Sequence, residues 1–263
     1  MTFLPATTTT DRHGRLYAIT GHDLCVTSES GIPHGPCADD ALMLGTIDGT
    51  PCFAWALSPG EPLPAGTTAV PLRQLFGVIS DEEFGIAGRA LGLTTWDRDH
   101  RFCGRCGAAT ARSTRERVRT CTACEHTAYP RISPAVIVRV ERDGKILLAR
   151  NARTHLPFYS VLAGFVEVGE SLEETVAREI HEEAGIQLAD IRYFGSQPWP
   201  LTGSLMIGFV AQWAAGELAA DETEILDAGW FAPDALPRLP GRLSIARALV
   251  DDFVRGSGLE PLP

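Results

Sequence analysis

The sequence of 263 residues has no run approaching 18 uninterrupted apolar residues, so it offers no candidate membrane-spanning helix. It also lacks a surplus of positive charge. Lys and Arg total 23 against 33 Asp and Glu, a formal net charge of −10, which argues against a general nucleic-acid binder held by charge alone. The opening stretch MTFLPATTTTDRHG lacks the basic-then-apolar pattern of an export signal, and a soluble cytoplasmic protein with no membrane partner is expected. The seven cysteines, four of them in metal-like spacing, suit a reducing compartment better than a disulfide scaffold. Apolar residues make up 44%, enough for a sizeable core, and the length leaves room for two modest domains or one with an insert.

Residues 1–97 carry no recognisable chemistry. Leu42–Ile47 and Cys52–Leu57 are short apolar segments broken by Gly and Pro, as in the strands of a small sheet. Ser80 is placed to cap a helix through Asp81–Leu91, with Phe84, Ala87 and Leu91 on one face. Cys25, Cys37 and Cys52 are irregularly spaced and read as ordinary buried or half-buried thiols. His13, His22 and His34 show no ligand spacing.

The next stretch is specific. Cys103-x2-Cys106 and Cys121-x2-Cys124 are two CxxC knuckles, the pattern of a zinc ribbon in which four thiolates hold one Zn²⁺. Four thiolates leave no site for water, so this metal is expected to be structural. A redox CxxC would need only one knuckle beside a thioredoxin-like unit. Gly104 and Gly107 are expected to ease the turns. Arg98, Arg101, Arg105, Arg112, Arg115, Arg117 and Arg119 crowd the ribbon; alternation in RERVR favours a solvated hairpin with outward arginines over an RNA contact surface.

The most informative stretch is Gly164–Ile186. Ser171 with Glu174 forms a capping box and Gly185 stands at a helix C-terminus. Leu172, Val176, Ala177, Ile180 and Ala184 give one apolar face, while Glu179, Glu182 and Glu183 fill a narrow sector beside it. Like charges four residues apart destabilise a helix, and desolvation at the edge of a core makes this worse. A divalent cation resolves that conflict, since magnesium is typically held by one or two carboxylates plus substrate phosphates.

Gly164, Glu170, Arg178, Glu179, Ile180, Glu182, Glu183, Gly185 and Ile186 match G-x5-E-x7-R-E-U-x-E-E-x-G-U, with U aliphatic, without departure. The chain therefore resembles the Nudix hydrolases, which cleave a nucleoside diphosphate linked to another group. Ala135–Val140, a turn at Asp143-Gly144, Lys145–Arg150, Tyr159–Leu162, Ile191–Gly195 and Leu205–Trp213 read as strands, and Ser244–Val254 as a final helix. With the resemblance they imply an α/β/α sandwich with a mixed sheet. The expected divisions are a small N-terminal α+β domain at 1–97, zinc ribbon at 98–127, Nudix domain at 128–256 and tail at 257–263.

Ser196–Ser204, SQPWPLTGS, reads as a rigid loop presenting Trp199. It resembles the SQPWPFPxS tag of the NADH pyrophosphatase branch, whose domain order is the same; Leu201 and Thr202 depart from the tag's Phe-Pro. That resemblance implies hydrolysis of NADH, and of NAD⁺, to nicotinamide mononucleotide and AMP, with removal of NAD caps from RNA 5′ ends. It implies Mg²⁺ or Mn²⁺ at Glu179, Glu183, Glu224 and the Ala163 carbonyl, with Glu182 adjacent, Glu183 as base and Arg178 orienting a carboxylate. It implies a homodimer, with Phe165 and the partner subunit's Tyr129 stacking on nicotinamide. Glu116, Gln197, Pro198, Trp199, Pro200, Leu201, Thr202, Gly203, Ser204 and Ala246 map to further substrate contacts. The alternatives are a hydrolase of ADP-ribose, coenzyme A or diadenosine polyphosphates, and an inactive nucleotide sensor with an RNA-binding ribbon.

Overall fold

The structure, a computed structural model, describes residues 2–152, 158–219 and 223–262. The chain forms two compact units, Met1–Arg131 with Pro200–Gly203, and Ile132–Trp199 with Ser204–Pro263. Asp221 and Glu222 of the acidic stretch before Glu224 lie outside the described residues.

In the first unit, β1 (Phe3–Pro5), β2 (His13–Thr20), β3 (Asp23–Thr27), β4 (His34–Pro36), β5 (Leu42–Ile47), β6 (Thr50–Ala56) and β7 (Thr67–Pro71) form one sheet. Its order is β1-β5-β6-β2-β3-β7 with β4 beside β2, and β2 and β6 run parallel. Helix α1 (Asp81–Asp99) buries Ile86, Ala87, Ala90, Leu91, Leu93 and Trp96 with Tyr17, Ile19, Leu24 and Leu44 of the sheet. Ser80 accepts from the Glu83 amide, as its position predicts. The helix runs beyond the expected Leu91, because Leu93 and Trp96 continue the buried stripe past Gly92 and Thr94 satisfies its hydroxyl on the Ala90 carbonyl. Pro200 lies against Gly88 of α1, where a Cβ would come within 2.6 Å of the proline Cγ. Leu201 packs on the same core. A three-stranded sheet of β8 (Thr110–Arg112), β9 (Arg119–Cys121) and β10 (Thr127–Ala128) forms the ribbon.

The second unit is a mixed sheet of β11 (Ser133–Arg142), β12 (Lys145–Asn151), β13 (Leu162–Phe165), β14 (Gln187–Trp199), β15 (Ser204–Ala215) and β16 (Ile225–Phe231). The order is β14-β15-β11-β12-β16, with β13 also on β11 and the β11–β15 pair parallel. The run AVIVRV is apolar on both faces because both are covered. Val136, Val138 and Val140 pack with Val176, Ile180 and Ala184 of α2 (Leu172–Ala184). Ile137, Ile146 and Leu148 pack with Ile245, Leu249, Val250 and Phe253 of α3 (Ile245–Gly256). Asp143 and Gly144 both take positive φ, 50° and 72°, as a two-residue hairpin turn requires.

Two expectations are corrected. The strand expected at Tyr159–Leu162 lies at Leu162–Phe165, where it pairs with Ala135–Val138; Ser160 makes only an isolated bridge to Ala149. The loop expected at Ser196–Ser204 is strand as far as Trp199, which pairs with Ser204, leaving a turn at Pro200–Gly203. Because β14 is an edge strand, Pro198 is tolerated there without an N–H to donate. Among the described residues no helix is long and apolar enough to cross a membrane.

Ile180, fully buried on α2, leaves a cavity when truncated. Ile180→Ala is expected to cost the second unit about 2–5 kcal/mol, read as an earlier urea midpoint.

Candidate active site and metal sites

Helix α2 is fixed before its acidic side is considered. The Ser171 hydroxyl accepts from the Glu174 amide and the Glu174 carboxylate accepts from the Ser171 amide, while Gly185 closes the helix at φ 72°. With Val176, Ile180 and Ala184 against the sheet, the neighbouring sector loses solvent. Glu183 is 6% exposed and the Glu179 side chain 13%, whereas Glu182 remains 58% exposed.

Arg178 is the cation of this cluster. It donates to Glu170 Oε1 at 2.5 Å and Oε2 at 2.9 Å, to Glu179 Oε1 at 3.0 Å, to Glu182 Oε2 at 2.9 Å and to the Phe165 carbonyl at 3.0 Å. A planar fork can serve such a spread of acceptors; an ammonium cannot. The guanidinium, with the Glu167 amide and Thr175 hydroxyl, holds the Glu170 carboxyl down at about 2. The carboxylates in turn raise Arg178.

Glu179 behaves differently. Burial lifts its carboxyl above the usual range, Arg178 opposes this, and the charges of Glu182 and Glu224 push further up. Gly164 on β13 is the reason it fits. A Cβ there would lie 1.8 Å from the Glu179 carboxyl carbon, so this strand approaches the carboxylate as only glycine can. Ala163, the next residue back, pairs with Ile137 of β11. Glu224 precedes β16, its carbonyl accepting from the Ala152 amide at 2.7 Å. Glu179, partly desolvated and in electrostatic reach of Glu182 and Glu224, offers hard carboxylate oxygens of the kind a divalent cation takes, although among the described residues only the four ribbon cysteines draw their ligand atoms together.

The second unit also holds Phe165, 57% exposed, and the Gln197–Trp199 end of β14. Gln197 is already engaged: its Nε2 donates to the Leu243 carbonyl at 2.8 Å and its Oε1 accepts from the Ile245 amide at 2.7 Å, beside buried Ala246. Half-buried Trp199 and exposed Pro198 flank it, and Ser204 is buried. Glu116, Tyr129 and Pro200–Gly203 belong to the first unit. Glu116 and Tyr129 are exposed there, as are Thr202 and Gly203, the latter at φ 72°.

The four ribbon sulfurs converge. Cys103 and Cys124 are 3.7 Å apart, and Cys106 is 3.5 Å from both Cys121 and Cys124. A tetrahedral site with Zn–S near 2.3 Å implies edges of about 3.8 Å, so the cluster suits zinc. Backbone amides favour the thiolate form at two of the four. Those of Ala123 and Cys124 draw Cys121 down to about 6, and those of Arg105 and Cys106 lower Cys103. Gly107 takes φ 76° after the first knuckle, but Gly104 needs no such freedom; Glu125, at φ 57°, occupies the matching place after the second. No turn-forming residue at Glu125 marks that position in the sequence.

The outward arginine hairpin is also corrected. Arg119 is buried, and with Arg112 it grips Asp97 at the end of α1; Arg112 is bidentate at 2.6 and 2.5 Å. Burial pushes the Asp97 carboxyl up, and the two guanidiniums outweigh it and hold it low. Arg117 donates to the carbonyls of Ala6, Met43 and Leu44. Arg112 on β8 and Arg119 on β9 thus face Asp97, and Arg117, in the bend before β9, reaches the first unit's carbonyls. Asp97 was missed because nothing in its neighbours marks it as an anchor.

Gly164→Ala is expected to weaken Mn²⁺ binding at least about tenfold, or 1.4 kcal/mol, in calorimetry while leaving the helical circular dichroism intact. Purified protein is expected to carry about one zinc per chain by elemental analysis, and Cys121→Ser to lose it.

Comparison with known proteins places this geometry. Residues 130–253 match the NUDIX domain, 15–96 the NADH pyrophosphatase-like rudimentary NUDIX domain and 98–129 the NADH pyrophosphatase zinc ribbon domain. The NAD-capped RNA hydrolase NudC of Pseudomonas aeruginosa (strain LESB58) is 43% identical over 221 residues, 83% of this chain and 79% of that protein. The protein of the same name from Deinococcus radiodurans is 40% identical over 223 residues, 83% of this chain and 79% of its own. A NUDIX hydrolase from Nitrosomonas europaea, 22% identical, superposes with a TM-score of 0.50 over 62% of this chain and 96% of that one, which supports the fold. The chain belongs to the Nudix hydrolase family, in its NADH pyrophosphatase branch.

Proposed function

We propose that this protein hydrolyses the diphosphate bridge of NAD-type dinucleotides, giving AMP and, from NADH, reduced nicotinamide mononucleotide. The same bridge as a 5′ cap on RNA is the second substrate. The observation that carries this reading is the desolvated Glu179 carboxylate seated on Gly164, with Glu182 and Glu224 in electrostatic reach. The names of the relatives, NAD-capped RNA hydrolases, support the substrate class.

Glu179, Glu183, Glu224 and the Ala163 carbonyl would hold the divalent ions. Bound Mg²⁺ or Mn²⁺ supplies neutralisation of the phosphate oxygens, whose charge otherwise repels a nucleophile. Arg178, fixed on Glu170, keeps Glu179 and Glu182 from turning away. Glu183 takes the proton of the attacking water as the new O–P bond forms and the bridging P–O bond breaks, leaving its electrons on the departing phosphate. Phe165 offers an exposed face for stacking. In a homodimer the partner subunit's Tyr129 would supply a second face. Glu116, Pro198, Trp199, Pro200, Leu201, Thr202, Gly203, Ser204 and Ala246 shape the remaining contacts; Gln197 acts through the backbone it holds. For RNA, Arg101, Arg105 and Arg115 are the arginines to neutralise, since Arg112 and Arg117 are engaged with the first unit.

Mass spectrometry of NADH incubated with the protein and Mg²⁺ or Mn²⁺ is expected to show both mononucleotides. Glu183→Gln should lower kcat about 10²–10⁴-fold. Turnover of ADP-ribose without NADH would move the specificity to another dinucleotide class, and no turnover of either would leave a nucleotide sensor.

A further inference from the structure

Helix α3 begins with a charge in the wrong place. Arg247 stands in its first turn, where the helix dipole disfavours a cation, and no acidic residue shares that turn. It is 4% exposed. A buried ion pair such as Arg247–Asp251, at 2.6 Å, is weak evidence for stability in itself. The rest of the fork gives the reason for it. Nη1 donates to the Pro240 carbonyl at 3.2 Å and Nη2 to the Leu262 carbonyl, on which Arg242 also converges at 3.0 Å. One guanidinium therefore joins the approach to α3, the second turn of α3 and the segment that follows it.

The opposite side of the same turn is held from the sheet. Gln197 bonds both peptides flanking the Ser244 cap, through the Leu243 carbonyl and the Ile245 amide. Gly208 on β15 leaves room for Ile245, whose Cδ1 lies 2.9 Å from where a Cβ would stand. The residue between Ile245 and Arg247 is Ala246. Gln197 and Ala246 are thus set by two clamps, one made by the tag itself and one by Arg247 with the Leu262 segment.

We propose that Arg247, acting through the C-terminal segment Leu259–Leu262, is a positioning residue for the substrate edge formed by Gln197 and Ala246. Gly258, at φ 78°, turns the chain back after α3, and the Leu259 amide bonds to the Val254 carbonyl, so the segment returns along its own helix. Losing the carbonyl of Leu262 leaves Arg247 on Asp251 and Pro240 but removes the acceptor it shares with Arg242, which loosens the Arg242–Ser244 part of the approach. Small displacements of substrate-positioning groups are costly, a 1 Å error reaching about a hundredfold.

The inference rests on the dinucleotide hydrolase reading for its kinetic arm. The protein ending at Gly258 is compared with the full chain and with Arg247→Lys, which keeps a charge for Asp251 but cannot fork to two carbonyls. For both variants KM for NADH is expected to rise about fivefold or more with kcat within about twofold. Amide exchange at 243–247 should quicken in the truncated protein while α2 keeps its protection. Unchanged KM in both variants, with only a lower Tm, overturns the proposal, as does unchanged exchange at 243–247. Absence of NADH turnover in the full chain refutes the hydrolase reading instead, and the exchange comparison still decides the positioning role.

Discussion

The acidic side of helix α2 depends on one guanidinium. Arg178 touches Glu170, Glu179, Glu182 and the Phe165 carbonyl, so it links the loop before the helix, the helix itself and the end of β13. It answers only part of the negative charge. Burial still lifts the Glu179 carboxyl, with Glu182 and Glu224 adding to the effect. The helix tolerates this because its ends are capped and its other face is packed under the sheet. What stays unbalanced is localised beside Gly164, against which the Glu179 carboxylate lies. The two carboxylates therefore sit in opposite states: Glu170 is drawn down by Arg178, while burial and like charges lift Glu179.

The first unit handles buried charge in the opposite way. Asp97 is matched by Arg112 and Arg119, and Glu83 by Arg15 and the Tyr17 hydroxyl at 2.7 Å, so these clusters are neutralised from within the protein. The ribbon adds its own closure through four converging thiols. Both devices fix structure with polar groups where a short sheet such as β8–β10 offers little apolar surface.

Much of the second unit could be read in advance because its signals are local. The capping box, the Asp143-Gly144 turn and the two-faced AVIVRV strand each act within a few residues. What escaped depends on distant partners. The α1 helix continues past Gly92 because the sheet offers a surface for Leu93 and Trp96. Pro198 and Pro200 suggested a loop, but an edge strand accommodates the first and a turn the second. The ribbon arginines looked solvated until Asp97 and the carbonyls of β5 were opposite them. In the candidate site, fixed letters of the motif marked the carboxylates, yet the exhaustion of Gln197 on backbone groups has no sequence signature.

The turn Pro200–Gly203 has a consequence for synthesis of the chain. Pro200 seats on Gly88 and Leu201 fills part of the core built by α1, although both are encoded far downstream of it. Domains generally fold as units, N-terminal first, as the chain emerges from the ribosome. Here part of the first unit's packing comes late in that order. Leu201 and the Pro200 neighbour of Gly88 join it only after the box helix and β11–β14 have been made. Completion of the first unit's core is therefore tied to synthesis of a turn encoded within the second unit's sequence.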